Sequence, residues 1–234
     1  MSVPPGAVEL TQTRPAGVRP GRYSVVLNAL PLAMIAAGVA AVWIVQSTPA
    51  RIIVALVWIY LLPPLAGRLV IAALGAPLGE RVTENSRAYR VWWLLVQLQV
   101  VFNRFPILEE ALRLIPGIYA AWLNLWGSRV SPLVYWGPGA LAVDRHALTI
   151  GPAVVIGTRS VLSAHLATKD EEGVYRVTLA PVTIGGGALI GANAGIGPGC
   201  IIDAGSEVPA VAFLRPHTRW SGDRRVRTGR PTNA

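Results

Sequence analysis

The stretch VTIGGGALIGANAGIGPGCIIDAGSEVPA, residues 182–210, repeats with a step of six residues. Its large aliphatic side chains stand six positions apart, and each is followed by glycine, aspartate or proline; they are Ile184, Ile190, Ile196, Ile202 and Val208. A small or β-branched residue stands two positions before each of them. Self-similarity at a fixed period is the sequence signature of a repeat architecture. This region therefore predicts a solenoid.

The same step occurs earlier in the chain, at Ile150, Ile156 and Leu162. Around Trp136 and Val143 the spacing is irregular, which we interpret as the opening coil. A step of six predicts a triangular prism: three steps, about eighteen residues, complete one coil, and each coil covers the face of its neighbour. A glycine after the aliphatic residue is expected to supply unusual backbone angles at the turn. We predict a short left-handed parallel β-helix of about four coils over residues 131–214.

The N-terminal half predicts a membrane anchor. Hydrophobic residues make up 53% of the chain and charged residues only 14%, against roughly a quarter charged in soluble domains. Residues 1–22 predict a flexible basic tail. Residues 23–80 hold two apolar segments, and because about 20 apolar residues suffice to cross a bilayer as a helix, they predict a transmembrane hairpin. A cleaved signal peptide is the alternative for the first segment, although its apolar core would be only about 7 to 15 residues long.

Arg68 is expected to end the second apolar segment, because a charge in mid-membrane is costly. This shortened segment is either a span or a re-entrant helix. Three arginines precede the first span and only Arg51 stands in the connection, so both the N-terminus and the large C-terminal part are expected in the cytoplasm, at the inner membrane.

Residues 81–130 predict interfacial amphipathic helices, since they mix apolar faces with charged residues and carry four tryptophans that can lie at headgroup level. These are Trp92, Trp93, Trp122 and Trp126. Ordinary core helices of a soluble domain are the alternative. The fold class is thus a membrane-anchored α + β protein, with N-terminal transmembrane and interfacial helices followed by a β-helix of hexapeptide repeats.

The net charge of +9 does not predict nucleic-acid binding, because the arginines crowd the two ends with few aromatic residues between them. The single cysteine, Cys200, excludes an intrachain disulfide. It occupies a small-residue position of the repeat, which favours a packing role over a reactive thiol.

Three segments carry a resemblance to a known family: residues 182–208, VLSAHLATKDEEGVYRVTLAPV at 161–182, and PHTRWSGDRR at 216–225. With them, the region from about Tyr119 to Arg224 resembles the bacterial hexapeptide-repeat acyltransferase family. The helix YAAWLNLWGSRV, residues 119–130, is more loosely similar to membrane-attached relatives, including the condensing domains of poly-lysine-type peptide synthetases.

The resemblance implies a homotrimer, a thioester donor lying between neighbouring subunits, and a histidine that deprotonates the acceptor. The donor would be acyl-coenzyme A or the thioester of an acyl or peptidyl carrier protein. This chain departs from the soluble members in its short β-helix and in its membrane-embedded half. We therefore expect a lipid-linked or membrane-proximal acceptor rather than the acceptors of those members.

His165 stands where the six-residue step breaks, before a predicted extruded loop at 168–181, and such breaks often map to the binding face. We predict that it acts as the general base; a surface turn histidine is the alternative. Asn193, three after Ile190 as His165 is three after Leu162, is a candidate oxyanion donor or a turn-forming asparagine. Glu172 in the loop is a candidate for orienting the imidazole.

The arginine-rich segment 215–234 is expected to hold the phosphates of coenzyme A, with a tryptophan stacked on the base, or else to contact anionic lipid. The predicted donor-binding residues are Gly191, Gly197, Arg219, Trp220 and Arg224. No metal is expected, because His146, His165 and His217 show no clustering in the sequence. The sequence thus predicts a membrane-bound O- or N-acyltransferase; a non-catalytic trimeric membrane scaffold or binding module is the alternative.

Overall fold

The computed structural model describes residues 21–226, so most of the predicted basic tail at 1–22 and the end of the arginine-rich segment lie outside the described residues. The described N-terminal half is helical. Its helices are α1 (Arg22–Leu27), α2 (Leu30–Ile44), α3 (Thr48–Tyr60), α4 (Leu62–Leu74), α5 (Arg87–Arg104), α6 (Ile107–Arg113) and α7 (Ile118–Trp126).

Within residues 21–226, two helical stretches are long and apolar enough to cross a membrane: Arg22–Ile44 with a mean hydropathy of 2.2, and Thr48–Leu74 with 1.9. They are compatible with the predicted hairpin, whose place in a bilayer stays a prediction. The second helical stretch continues past Arg68 to Leu74, and the expectation that a membrane span in it ends near Arg68 stays a prediction. The Arg68 guanidinium donates to the carbonyl of Asn124, near the end of α7, at 2.9 Å.

Helices α5 and α7 pack onto the β-rich half in one shared hydrophobic core. Solvent exposure is low for Trp92, Trp122 and Trp126, at 6%, 4% and 0%. The expectation that these three rings lie among lipid headgroups is therefore wrong, and the core-helix alternative holds for them. Trp122 and Trp126 are buried in the core shared with the solenoid, and Trp92 packs against Val177 and Leu179. Whether the outer faces of these helices touch a membrane stays a prediction.

A buried polar network joins the helices to the first coil. The Arg145 side chain is fully buried and its Nε donates to Glu109 Oε1 at 2.6 Å, while its Nη2 donates to Asn103 Oδ1 at 2.9 Å. Gln99 accepts from the Arg145 backbone N–H at 2.8 Å. Buried charges of this kind must be paired, and removal of one partner is strongly destabilising. The network therefore fixes the position of α5 and α6 against the solenoid.

The solenoid is a three-sided parallel prism. Its first sheet holds β2 (Arg129–Val130), β5 (Leu148–Ile150), β10 (Val182–Ile184), β13 (Ile201–Ile202) and β16 (Arg219–Ser221). The second holds β3 (Tyr135–Trp136), β6 (Val155–Ile156), β11 (Leu189–Ile190) and β14 (Glu207–Val208). The third holds β4 (Leu141–Ala142), β7 (Val161–Leu162), β12 (Gly195–Ile196) and β15 (Phe213–Leu214).

The predicted register is confirmed: Ile184 pairs with Ile202, and Ile190 with Val208. All eight repeat aliphatics are at most 2% exposed, and four coils stack before β16 closes the end. The left-handed sense stays a prediction. In the first coil the inward residue is Ala142 rather than the predicted Val143, so the six-residue step begins at Val130. Cys200 is buried, and burial raises the pKa of its thiol, which fits packing.

The glycines after the aliphatic residues serve a different purpose from the predicted one. A Cβ on Gly191 would overlap the backbone nitrogen of Ala210 in the next coil. The position is thus restricted by the close approach of adjacent coils. The left-handed backbone angles fall two residues later, three after the aliphatic, where Asn193 has φ +57°.

One corner of the prism interrupts the regular step in two successive coils. In the first coil the step from Ala142 to Ile150 is eight residues instead of six, so the corner is two residues longer; Asp144, Arg145 and His146 lie in it. In the second coil the chain leaves the same corner as an antiparallel hairpin of β8 (His165–Lys169) and β9 (Tyr175–Leu179). The predicted loop at 168–181 is thus a hairpin that begins at His165, and β1 (Gly79–Val82) extends it to three strands.

Candidate active site

The two insertions bring a carboxylate and an imidazole together. His165 Nδ1 lies 2.9 Å from Asp144 Oδ1 and 2.8 Å from Oδ2. The Asp144 side chain is 1% exposed and that of His165 is 23% exposed. The backbone N–H of Ala164 donates to Asp144 Oδ2 at 2.7 Å. The corner thus holds a buried carboxylate behind a partly accessible imidazole.

The electrostatics of the pair fix its protonation. Burial by itself raises the pKa of Asp144, but the hydrogen bond and charge of His165 outweigh it and hold the pKa below its usual value. Burial lowers the pKa of His165, but the hydrogen bond and charge of Asp144 outweigh that and raise it. Because an ionised carboxylate only accepts hydrogen bonds, Nδ1 carries the proton and Nε2 holds the lone pair. This is the tautomer that a general base needs.

The imidazole ring is also packed from the helical side. The ring of Trp92 on α5 lies 4.9 Å from that of His165, centroid to centroid, at an angle of 57°. Ser163 Oγ donates to the His165 carbonyl at 2.8 Å, where the chain leaves the coil. Three elements therefore position the histidine: the end of the second coil, the inserted corner of the first, and α5.

Asp144 is not among the residues that the sequence predicts for the site, because the spacing in the opening coil is irregular. The spacing of the inward residues nevertheless indicates this corner. Counted from the inward residues, both departures from the six-residue step follow a strand of the same sheet, after Ala142 and after Leu162. Insertions at equivalent positions of adjacent coils must lie at one corner.

Asn193 and Glu172 do not meet His165 within the chain. Asn193 lies at the corner between β11 and β12, where its N–H donates to the Thr158 carbonyl at 2.8 Å, whereas His165 follows β7, the neighbour of β12. Its exposed side chain and φ of +57° describe a turn residue. Glu172 lies at the hairpin tip, beyond the Lys169–Tyr175 pair, and at about 3.4 Å per residue that pair is roughly 14 Å from the hairpin base. The carboxylate that contacts the His165 imidazole is Asp144, whereas the sequence suggested Glu172 for this role.

The predicted donor-binding residues lie in the third coil and in the strands that close the prism, and all except Arg224 have structural contacts there. Gly191 and Gly197 both face the next coil at close range. Trp220 pairs with Ile202 beneath the final coil and its Nε1 donates to the Glu207 carbonyl at 2.8 Å, so its ring closes the prism. Arg219 bonds Asp203 at 3.2 Å, and Arg224 is exposed on β17 (Arg224–Val226). A donor contact at these residues stays a prediction.

The other two histidines take separate roles. His217 Nε2 pairs with Glu80 at 2.7 Å on the surface. His146 stands beside the Asp144–His165 pair, and burial lowers its pKa despite the charge of Asp144. Within residues 21–226 no group of three or more His, Cys, Asp or Glu side chains is placed to hold a metal ion.

A cavity of about 400 Å³ lies beside the pair, bounded by α4, α5, α7 and the inserted corner. Asp144 and His146 form part of its wall, with Trp92 and Ala164 next to His165. The cavity therefore lies on the Asp144 side of the pair, between the N-terminal helices and the inserted corner.

No family model and no curated protein matches the chain. Among solved structures, the chain is similar to a hexapeptide-repeat-containing acetyltransferase from Vibrio cholerae, at 18% identity over 56% of this chain and 91% of that one, with a TM-score of 0.36. An N-acyltransferase variant from Bacillus cereus, in complex with dTDP and coenzyme A, matches at 14% identity over 45% and 72%, with 0.23. A serine acetyltransferase from Entamoeba histolytica matches at 12% over 92% and 85%, with 0.25.

These neighbours are acyltransferases at low identity. At such identities and TM-scores, the similarity assigns neither a family nor an activity to this chain. The looser similarity to peptide synthetase domains stays a prediction.

Proposed function

We propose that the protein is an acyltransferase that moves an acyl group from a thioester to a hydroxyl or amine, with His165 as the general base. The observation that supports this most strongly is the Asp144–His165 pair, in which a buried carboxylate holds Nδ1 and leaves Nε2 for a substrate proton. The pair stands at the one corner where both insertions depart from the repeat.

In the proposed reaction, His165 Nε2 takes the proton of the acceptor O–H or N–H as that atom attacks the thioester carbonyl. A C–O or C–N bond forms and the C–S bond breaks as the tetrahedral intermediate collapses. The proton passes from the imidazolium to the leaving thiolate, which departs as a thiol. Asp144 stabilises the imidazolium meanwhile, because it stays ionised beside it.

The surroundings are part of the proposal. Coenzyme A or a carrier protein would present the donor, and a homotrimer would supply the groove for its arm. The two apolar helices would hold the site at the cytoplasmic face of the inner membrane, next to a membrane-proximal acceptor. These assignments are supported by the length and apolar character of the helices and by the sequence resemblance of the repeat.

The test uses the full chain purified in detergent, with thiol release from acetyl-coenzyme A measured in the presence of a membrane lipid extract. The variant His165→Ala should lose activity by a factor on the order of 10² to 10⁴, the usual contribution of a positioned base. The matched control is His217→Asn, which also removes an imidazole and retains a residue suited to positive φ. Unchanged activity in His165→Ala contradicts the proposal. No thioester turnover or binding by the wild type would favour the non-catalytic scaffold.

A further inference from the structure

The cavity beside the Asp144–His165 pair has a largely apolar wall. Part of that wall is built from α4 and the segment after it, through Ile71, Ala72, Pro77 and Leu78. The outer face of α4 is apolar as well: Leu65 and Leu69 are 46% and 69% exposed. One helix therefore separates this cavity from the surface expected to face lipid.

Two polar groups face the cavity in addition to Asp144. Arg68 on α4 gives one guanidinium hydrogen bond to the Asn124 carbonyl and forms no ion pair with any residue of 21–226. His146 Nδ1 is buried and has no hydrogen-bond partner in the described part of the chain. A buried nitrogen without a partner is rare and unfavourable, so it marks a position where a ligand atom would be stabilised.

Ionisable residues within apolar helices that cross a membrane are rare and usually mark a functional site. Arginine binds phosphate or carboxylate through several parallel N–H donors. The cavity thus combines an anion-binding group at Arg68, an apolar wall, and a hydrogen-bonding group at His146 next to the catalytic pair.

We infer that this cavity binds an anionic amphiphile, with its phosphate or carboxylate at Arg68, its apolar part along Ile71 and Leu78, and a hydroxyl or amine at His146. On the proposed function, on which this role rests, the bound amphiphile is the acyl acceptor. It would reach the pair from the bilayer side, past α4, while the donor comes from the aqueous side. Binding itself does not depend on turnover.

The experiment uses the full chain in nanodiscs and a photoreactive probe, an alkyl phosphate with a diazirine in its chain. Labelled peptides are mapped by mass spectrometry. The matching alkyl alcohol tests the need for the anion, and excess inorganic phosphate tests whether a free anion competes. We expect labelling by the alkyl phosphate at residues 71–78, several-fold above that by the alcohol, and little competition by phosphate.

The variants Arg68→Gln and Ala72→Trp should each reduce this labelling several-fold, the first by removing the cation and the second by filling the cavity. Arg68→Lys should retain most of it. Arg104→Gln is the control, because Arg104 is an exposed arginine on α5 outside the cavity and its loss changes the net charge equally. A monodisperse elution profile shows that a variant is folded. If Ala72→Trp is not folded, the result of Arg68→Gln alone decides the test.

Labelling of residues 71–78 that is equal for alcohol and phosphate, or unchanged in Arg68→Gln, overturns the inference. Full competition by inorganic phosphate overturns it too, since the site would then bind a free anion. Thiol release from acetyl-coenzyme A is measured in the same samples. Turnover without labelling contradicts the inference alone, whereas labelling without turnover upholds the binding site and contradicts the proposed function.

Discussion

The last two coils and the corner shared by the first two differ in how their sequence relates to their structure. In the last two coils each inward aliphatic follows the previous one by six residues, and the strands stack in register. At the corner, the step lengthens to eight residues after Ala142 and to twenty-two after Leu162. The regular coils provide a rigid stack, and the extra residues provide the chemical groups. On the proposed function, the reacting groups therefore lie where the repeat is interrupted.

The largest effect is expected from Asp144→Asn. Asparagine retains the shape but cannot hold the Nδ1–H tautomer or stabilise the imidazolium, so thiol release should fall by a factor on the order of 10² to 10⁴. The melting temperature of the detergent-solubilised protein should change far less than the activity. If activity is retained, the corner is structural and the contrast between the two regions disappears.

In the regular coils, Gly191→Val should destabilise the fold rather than the chemistry. The side chain would overlap the Ala210 backbone, and overpacking without room to relax costs about 3 kcal/mol or more. Urea unfolding followed by circular dichroism measures this. The control is Gly173→Ala at the hairpin tip, where no heavy atom lies within 4 Å of a new Cβ. Because φ at Gly173 is +77°, alanine there should lower the free energy of unfolding by a smaller amount, about 1 kcal/mol.

The pH dependence should separate activity from stability at the corner. His165 has a raised pKa and must be neutral to act, so kcat/KM should rise with pH through a value above the ordinary 6.5. In Asp144→Asn this limb should move to lower pH, because burial then acts unopposed. A limb at the same pH in both proteins would show that Asp144 does not set the basicity of His165.

The contribution of His165 to the stability of the fold should change with pH in the opposite direction to the activity. The raised pKa of His165 contributes stability below 6.5, and this is lost as the pH rises through the folded value. The lowered pKa of Asp144 contributes above 3.8 and is lost as the pH falls through its folded value. The pair should therefore stabilise the fold most between these limits, which urea unfolding at several pH values can check against Asp144→Asn.

The smallest effects are expected from two residues that the sequence had suggested for catalysis. Glu172→Gln should leave kcat within about twofold, since Glu172 lies at the hairpin tip. Asn193→Gly should leave kcat nearly unchanged. It should change the free energy of unfolding by no more than about 0.5 kcal/mol, because glycine readily adopts φ +57°. A large loss of kcat in Asn193→Gly would instead indicate that a neighbouring subunit brings Asn193 to the site.

Much of this structure could be predicted from the sequence because the repeat is local. The spacing of the repeat alone predicts that Ile184 pairs with Ile202. The length of the helical stretch Arg22–Ile44 is likewise predicted by its run of apolar residues. The partner of His165 could not be found in the same way. Asp144 lies in an insertion, and its contact depends on which face each coil presents, which requires the inward residue Ala142 to be identified first. Likewise, Trp126 is buried by tertiary contact with the solenoid, which hydropathy does not encode.

The most direct test of the central claim, that Asp144 and His165 act as one unit, is a double-variant cycle on thiol release. If Asp144 acts only through His165, the variant carrying both Asp144→Asn and His165→Ala should be no slower than His165→Ala alone, since effects within a catalytic unit are not additive. If the two losses instead multiply, the residues act independently and the site proposed at this corner is contradicted.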